Sequence, residues 1–280
     1  MMSLSYPGEH NWLGWSLFFK EIGKPIDIFL NKVSGEDLYL PNEYVYKQLP
    51  YEAFYNAQFS NLLKTYTVFP DYIKKGQSKN HYAYTNISEM FTAFNKITND
   101  EGLKVIYSYC GEPDQTMHLT GASSWETKEK IKEINNYVEI FANRNNQSLI
   151  IISADHGQID INEYIELFQD NILKSFLNRP LSLETRAASL SINKENENEF
   201  KAYFKNKYKQ HTLYNVNELI NDNVFGYKQN DRITEFLGDY IAVPPRGIGY
   251  LLHKQASKYP GHHGGFTKEE MLVPLIIIGT

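Results

Sequence analysis

Leu103-Lys104-Val105-Ile106-Tyr107-Ser108-Tyr109-Cys110, closed by Gly111, is a short β-branched and aromatic run that reads as a strand. Forty residues on, Leu149-Ile150-Ile151-Ile152 is uniformly apolar, the pattern of a strand buried on both faces of a parallel sheet. Between them a helix is expected. Ser123 and Glu126 have capping-box spacing, Ile131, Ile134, Val138 and Phe141 share one face, and Asn143 to Gln147 forms a polar turn. Residues 103 to 155 therefore predict a β-α-β unit with a right-handed crossover, and with it an α/β fold built on a mostly parallel sheet between helices.

The same logic extends outward. Asn86 with Glu89 predicts a capped helix to Ile97, and Met271 to Ile278 a final core strand. Trp12 to Leu30 is aromatic and apolar with Gly14 and Gly23, while residues 34 to 70 give no assignable pattern. From 160 to 240 the texture changes to charged amphipathic stretches, Glu195 to Tyr208 and Val216 to Ile220, around strand-like pieces such as Ala187 to Ile192. The expected organisation is an α/β core over 1–159 and 241–280, with 160–240 inserted as a small α+β cap.

Composition narrows the function. The 280 residues carry 28 Lys and Arg against 33 Asp and Glu, a net charge of −5 that argues against nucleic acid or an anionic membrane as partner. No apolar run approaches the roughly 20 residues of a membrane span, and no basic-then-hydrophobic leader opens the sequence. The single cysteine, Cys110, excludes an internal disulfide; together these features lead us to expect a cytoplasmic protein.

Three clusters can carry chemistry. Glu112-Pro113-Asp114-Gln115-Thr116-Met117-His118 follows the first strand and Ser153-Ala154-Asp155-His156-Gly157 follows the second. Gly261-His262-His263-Gly264-Gly265 precedes the last strand. Ligands of open parallel sheets bind beyond the carboxyl ends of the strands, and imidazole with carboxylate is the donor set that zinc or manganese takes. Singly, each cluster also fits a blander reading: a capping Asp with a surface histidine, or a flexible turn. Jointly they hold four of the eight histidines, and they read as a divalent metal site.

These segments resemble the type I phosphodiesterase/nucleotide pyrophosphatase family of the alkaline phosphatase superfamily. Tyr109 to Gly121 is similar to its Y-x-E-P-D-x-x-x-H-x-x-G segment, Ser153 to Gly157 to its second metal motif, and Gly261 to Pro274 to its HGG-x-x-x-E-E-M-x-V-P segment. The resemblance implies a metal-dependent hydrolase of phosphate esters holding two zinc ions, or manganese, and working through a phosphorylated enzyme. It implies that Asp114, His118 and His263 hold one ion, and that Asp155 and His156 hold part of the other. His263 is preferred over His262 because it directly precedes the glycine pair. Two protein ligands hold an ion poorly, so one full and one weak site are expected.

Tyr6-Pro7-Gly8-Glu9-His10 with Gly14-Trp15 resembles a family turn. In relatives the first core strand, a ligating Asp and the Thr or Ser nucleophile precede that turn, where only Met1 to Ser5 stand here. Ser3 and Ser5 lie too close to it to substitute, so the catalytic nucleophile is unassigned and weak or absent turnover is expected. An open sheet edge and homo-oligomerisation through it are expected for the same reason. The alternatives are another superfamily enzyme (phosphomonoesterase, sulfatase or phosphoglycerate mutase) or a non-catalytic metal-binding remnant. The substrate is a small phosphate ester that the sequence does not identify.

Among the remaining candidates, Arg186 and Arg246 can bind phosphate or form surface salt bridges, and Cys110 reads as a buried strand thiol. His10 reads as a hydrogen-bonded structural residue, and His81, His211 and His253 as surface. Trp12 and Trp15 read as packing, Asp239 resembles a family position near the site, and Thr267 with Glu269 and Glu270 reads as a capping box.

Overall fold

A computed structural model of the chain describes residues 5–50, 63–73 and 78–279. Ser3 and the rest of Met1–Leu4 lie outside them. The chain divides into two units, Met1–Leu4 with Glu52–Asp155 and Val273–Thr280, and Ser5–Tyr51 with His156–Leu272.

In the smaller unit Lys64–Pro70 is flanked by Asn80–Tyr84 and Lys104–Ser108 in a three-stranded parallel sheet. The strand Lys104–Ser108 lies within the predicted run. Lys64–Pro70, the central strand, lies in the stretch whose pattern gave no assignment. Helix Ile87–Thr98 starts as the Asn86 signal implies, the Asn86 side chain accepting the Glu89 amide at 3.0 Å. Its Met90, Phe91 and Ile97 pack with Tyr66 and Val68 of the sheet and with Phe141 of helix Trp125–Arg144. Phe91 stacks on Tyr137 at 5.2 Å.

Three local expectations are corrected. The cap of helix Trp125–Arg144 is Ser124, not Ser123: its Oγ accepts the Thr127 amide at 3.0 Å. Ser124→Ala is therefore expected to cost about 1 kcal/mol and Ser123→Ala less, measured by urea unfolding. Ile131, placed on the buried face by spacing, is exposed: it shares a face with Val138 but lies near the helix start, and the packing against the aromatic cluster begins only at Ile134. The third concerns the strand after the helix. Ile150–Ser153 pairs antiparallel with Leu275–Ile278, Ile152 opposite Ile276, and not with Lys104–Ser108. Ile150 faces the aromatic core, but Ile151 is 61% exposed. Leu275, Ile276 and Ile277 of the partner strand are also exposed. An apolar strand needs a layer on each face to be buried, and among the described residues of these two strands only Ile150 packs against the aromatic core.

The larger unit is built on a seven-stranded antiparallel sheet. Its order is Thr212–Asn215, Tyr240–Val243, Ala187–Leu190, Ser182–Glu184, Ser16–Phe19, Lys24–Asp27 and Lys32–Val33. Side chains alternate between two cores, as a pleated strand requires. Ile241 and Val243 join Leu17, Phe19 and Phe236 on one face, while Tyr240 and Ala242 join Leu190, Phe200 and Phe204 on the other. Helices Val216–Asn221 and Ile233–Leu237 cover the first face, and Asn171–Phe176 and Glu197–Lys207 the second. Outside the sheet, Gly261–His262 bridges antiparallel to Ile159–Asp160, and this pairing runs two of the histidine segments side by side.

Candidate metal centre

Within the larger unit the His156 and His263 rings lie face to face, 3.7 Å between centroids and 16° apart in plane. Their segments are held side by side, running antiparallel, by the Gly261–Asp160 and His262–Ile159 pairs and by the Ile161 amide donating to Pro260. His156 Nδ1 lies 3.0 Å from the Gly157 carbonyl. A carbonyl only accepts, so Nδ1 carries the proton and the Nε2 lone pair is the one that can ligate. His262 stands beside the pair, its ring 5.9 Å from that of His263.

Two carboxyl groups line the Gly264-Gly265 turn, Glu270 buried and Glu184 half-buried. Glu270 Oε1 accepts the Gly265 amide at 2.8 Å, and its Oε2 accepts Thr267 Oγ1 at 2.9 Å, the expected capping box at helix Lys268–Met271. Arg186 closes on this carboxylate with two bonds, Nε to Oε1 at 3.1 Å and Nη2 to Oε2 at 3.0 Å. Arg186 is 0% exposed, which corrects both readings offered for it: it is neither a phosphate ligand at the surface nor a surface ion pair. Arg246 does form a surface ion pair, with Glu269 at 3.2 Å.

Glu184 packs against Gly264, whose φ is +94° and whose added Cβ would sit 2.9 Å from the Glu184 side chain. Leu183 before it is at φ +92°, a conformation costly for leucine, and the Glu184 carboxyl accepts the Trp15 amide at 2.6 Å. Desolvation pushes its pKa up to about 8, the Trp15 amide opposing and the charge of Asp27 adding to the rise. The folded value lies above the unfolded 4.5, so this contribution to stability is complete below about pH 4.5 and is lost as pH rises through 8. Urea midpoints of the parent are expected to fall from pH 5 to 8.5 more steeply than those of Glu184→Gln.

In the smaller unit helix Asp114–Thr120 carries the other candidates. His118 Nε2 lies 3.5 Å from Asp114 Oδ1, one helical turn apart. Thr116 is tied to Glu112, its amide and hydroxyl both donating to Oε2, at 3.1 and 2.7 Å. Asp155, exposed after strand Ile150–Ser153, adds its negative charge to burial in raising the Tyr109 phenol well above its usual range. Burial likewise raises the Cys110 thiol, which disfavours the thiolate a nucleophilic cysteine needs.

The structure thus brings His156 and His263 together in one unit and Asp114 and His118 together in the other. It withdraws three histidines from the surface. His81 Nδ1 meets Thr67 Oγ1 at 3.0 Å, and His211 Nδ1 meets the Tyr250 hydroxyl, with burial lowering the His211 pKa to about 4. Burial also lowers that of His253, against the pull of Asp27. His10 accepts the Trp12 amide at Nδ1, 3.0 Å, a structural role. Asp239 accepts the Ile192 amide at 2.7 Å and Ser191 Oγ, anchoring a strand end. Sequence reasoning missed Glu184, and it missed the role of Arg186. The available signal was two charged residues inside the otherwise small and apolar run from Leu181 to Ile192.

The murine ectonucleotide pyrophosphatase/phosphodiesterase 5 structure matches with a TM-score of 0.71 at 14% identity, over 100% of this chain and 74% of that one. Its human counterpart matches at 0.71 and 15%, over 99% and 74%. Phosphonoacetate hydrolase from Sinorhizobium meliloti 1021 matches at 0.66 and 12%, over 97% and 75%. At these identities the likeness establishes the fold, an alkaline phosphatase-like α/β architecture. No curated protein matches by sequence. The type I phosphodiesterase/nucleotide pyrophosphatase family model matches residues 31–265, and the chain belongs to that family of phosphoester hydrolases.

Proposed function

We propose that the protein is a divalent-metal-dependent phosphodiesterase acting on a small phosphate ester, with Asp114, His118, Asp155, His156 and His263 as the metal-holding residues. The observation that carries this reading is the His156–His263 pair: two half-buried imidazoles face to face, one with its Nδ1 proton committed to a carbonyl. That arrangement, together with carboxylates in the matching family segments, suits zinc or manganese. A bound divalent ion supplies charge neutralisation at phosphate oxygens and lowers the pKa of an attacking hydroxyl or water. The chain's own residues orient the imidazoles, the Gly157 carbonyl leaving Nε2 of His156 as its ligating atom. The segment 160–240 is proposed to set substrate choice, and the exposed Ile150–Ser153/Leu275–Ile278 ribbon to mediate self-association.

Calorimetry with zinc and manganese tests the metal reading. One tight and one weak site are expected, and binding of neither ion overturns it. Turnover of bis-p-nitrophenyl phosphate against p-nitrophenyl phosphate tests the chemistry. The 280-residue polypeptide is expected to turn over the diester slowly, since no residue in it is assigned as nucleophile. Activity on the monoester alone favours the phosphomonoesterase reading instead. Metal binding with no turnover of either favours the non-catalytic one.

A further inference from the structure

We propose that Glu270, locked by Arg186, is a positioning residue that registers the His156 and His263 rings against each other. Its functional consequence rests on the metal reading above; its geometry does not. Glu270 is bonded to both histidine segments at once. Its main-chain carbonyl accepts the Gly157 amide at 2.8 Å, one residue beyond His156, and its carboxylate accepts the Gly265 amide at 2.8 Å, two beyond His263.

Both attachments depend on close approach. A Cβ on Gly157 would lie 1.9 Å from the Glu269 carbonyl oxygen, and one on Gly265 would lie 2.6 Å from Glu270 Oε2. The carboxylate is itself immobilised. Arg186 holds both of its oxygens, and the same guanidinium donates through Nη1 to the carbonyls of Pro245 at 2.9 Å, Pro244 at 3.3 Å and Ile248. With Arg186 at 0% and Glu270 at 2% exposure, water does not compete for these bonds. The chain from Arg186 to Glu270 to the two glycine amides is therefore a rigid frame for the stacked rings. Partners bonded directly to ligating histidines are commonly worth 10–100-fold in metal affinity, which sets the scale for a frame that acts through the neighbouring backbone amides.

The test uses the double variant Arg186→Met/Glu270→Leu, which removes both charges and leaves neither stranded. Two readouts are taken: the nuclear Overhauser contact between the His156 and His263 ring protons without metal, and zinc affinity by calorimetry. Loss of the ring contact with roughly 10–100-fold weaker zinc binding, in a chain that still unfolds cooperatively, supports the proposal. A folded double variant that keeps the ring contact and its zinc affinity overturns it. Gly265→Ala provides a second test should the double variant fail to fold, because it drives the amide and the carboxylate apart with both charges in place. The same two outcomes decide it. Should the parent bind no zinc, the metal reading fails by itself, and the ring contact still decides the positioning role.

Discussion

Arg186→Ala is expected to remove about 3–5 kcal/mol from the larger unit, against the roughly 5–15 kcal/mol that holds a typical domain together. The substitution leaves the Glu270 carboxylate buried without its cation, and it strips the Pro244, Pro245 and Ile248 carbonyls of a donor. Each loss is a buried polar group without compensation, which costs far more than an intact pair contributes. Arg246→Ala is the internal control. Its pair with Glu269 is exposed on both sides, at 64% and 51%, and should be worth less than about 1 kcal/mol. Urea unfolding followed by far-ultraviolet dichroism separates the two. An Arg186→Ala variant within 1 kcal/mol of the parent would show that the pair contributes little to folding.

The second large effect is on metal binding. His263→Ala is expected to weaken the tighter zinc site by more than 100-fold, beyond the 10–100-fold typical of losing only a supporting partner. Asp114→Ala should do the same. His262→Ala should change affinity by less than tenfold, since its ring stands beside the His156–His263 stack and is not part of it. Equal losses at 262 and 263 would remove the preference for the residue next to the glycines.

Elements whose signal is local were legible. The strand at Lys104–Ser108, the helices at Ile87–Thr98 and Trp125–Arg144, and the Thr267–Glu270 capping box all follow from spacing within a few residues. What escaped depends on distant partners. Lys64–Pro70 is central only because Asn80–Tyr84 and Lys104–Ser108 flank it, and its own seven residues are too few for periodicity to decide. Ser16 pairs with Leu183 across most of the chain. Arg186 meets its carboxylate 84 positions away, and His211 its tyrosine 39 away, so both looked like surface residues in a linear reading. Of the candidate site, the residue types and segments were readable from the motifs. The face-to-face ring geometry and the frame behind it were not, because they arise from the Gly261–Asp160 pairing and from two close backbone approaches at glycine.

The exposed isoleucines at 151 and 277, cross-strand partners on one face of the ribbon, bear on how the protein behaves in the test tube. An exposed, uncharged, β-branched strand face is sticky towards other extended chains. Concentrated samples should therefore bind hydrophobic dyes while fully native and lose monodispersity with time. A lone lysine at position 277 would act as a gatekeeper and prolong the useful life of a preparation without touching the chemistry.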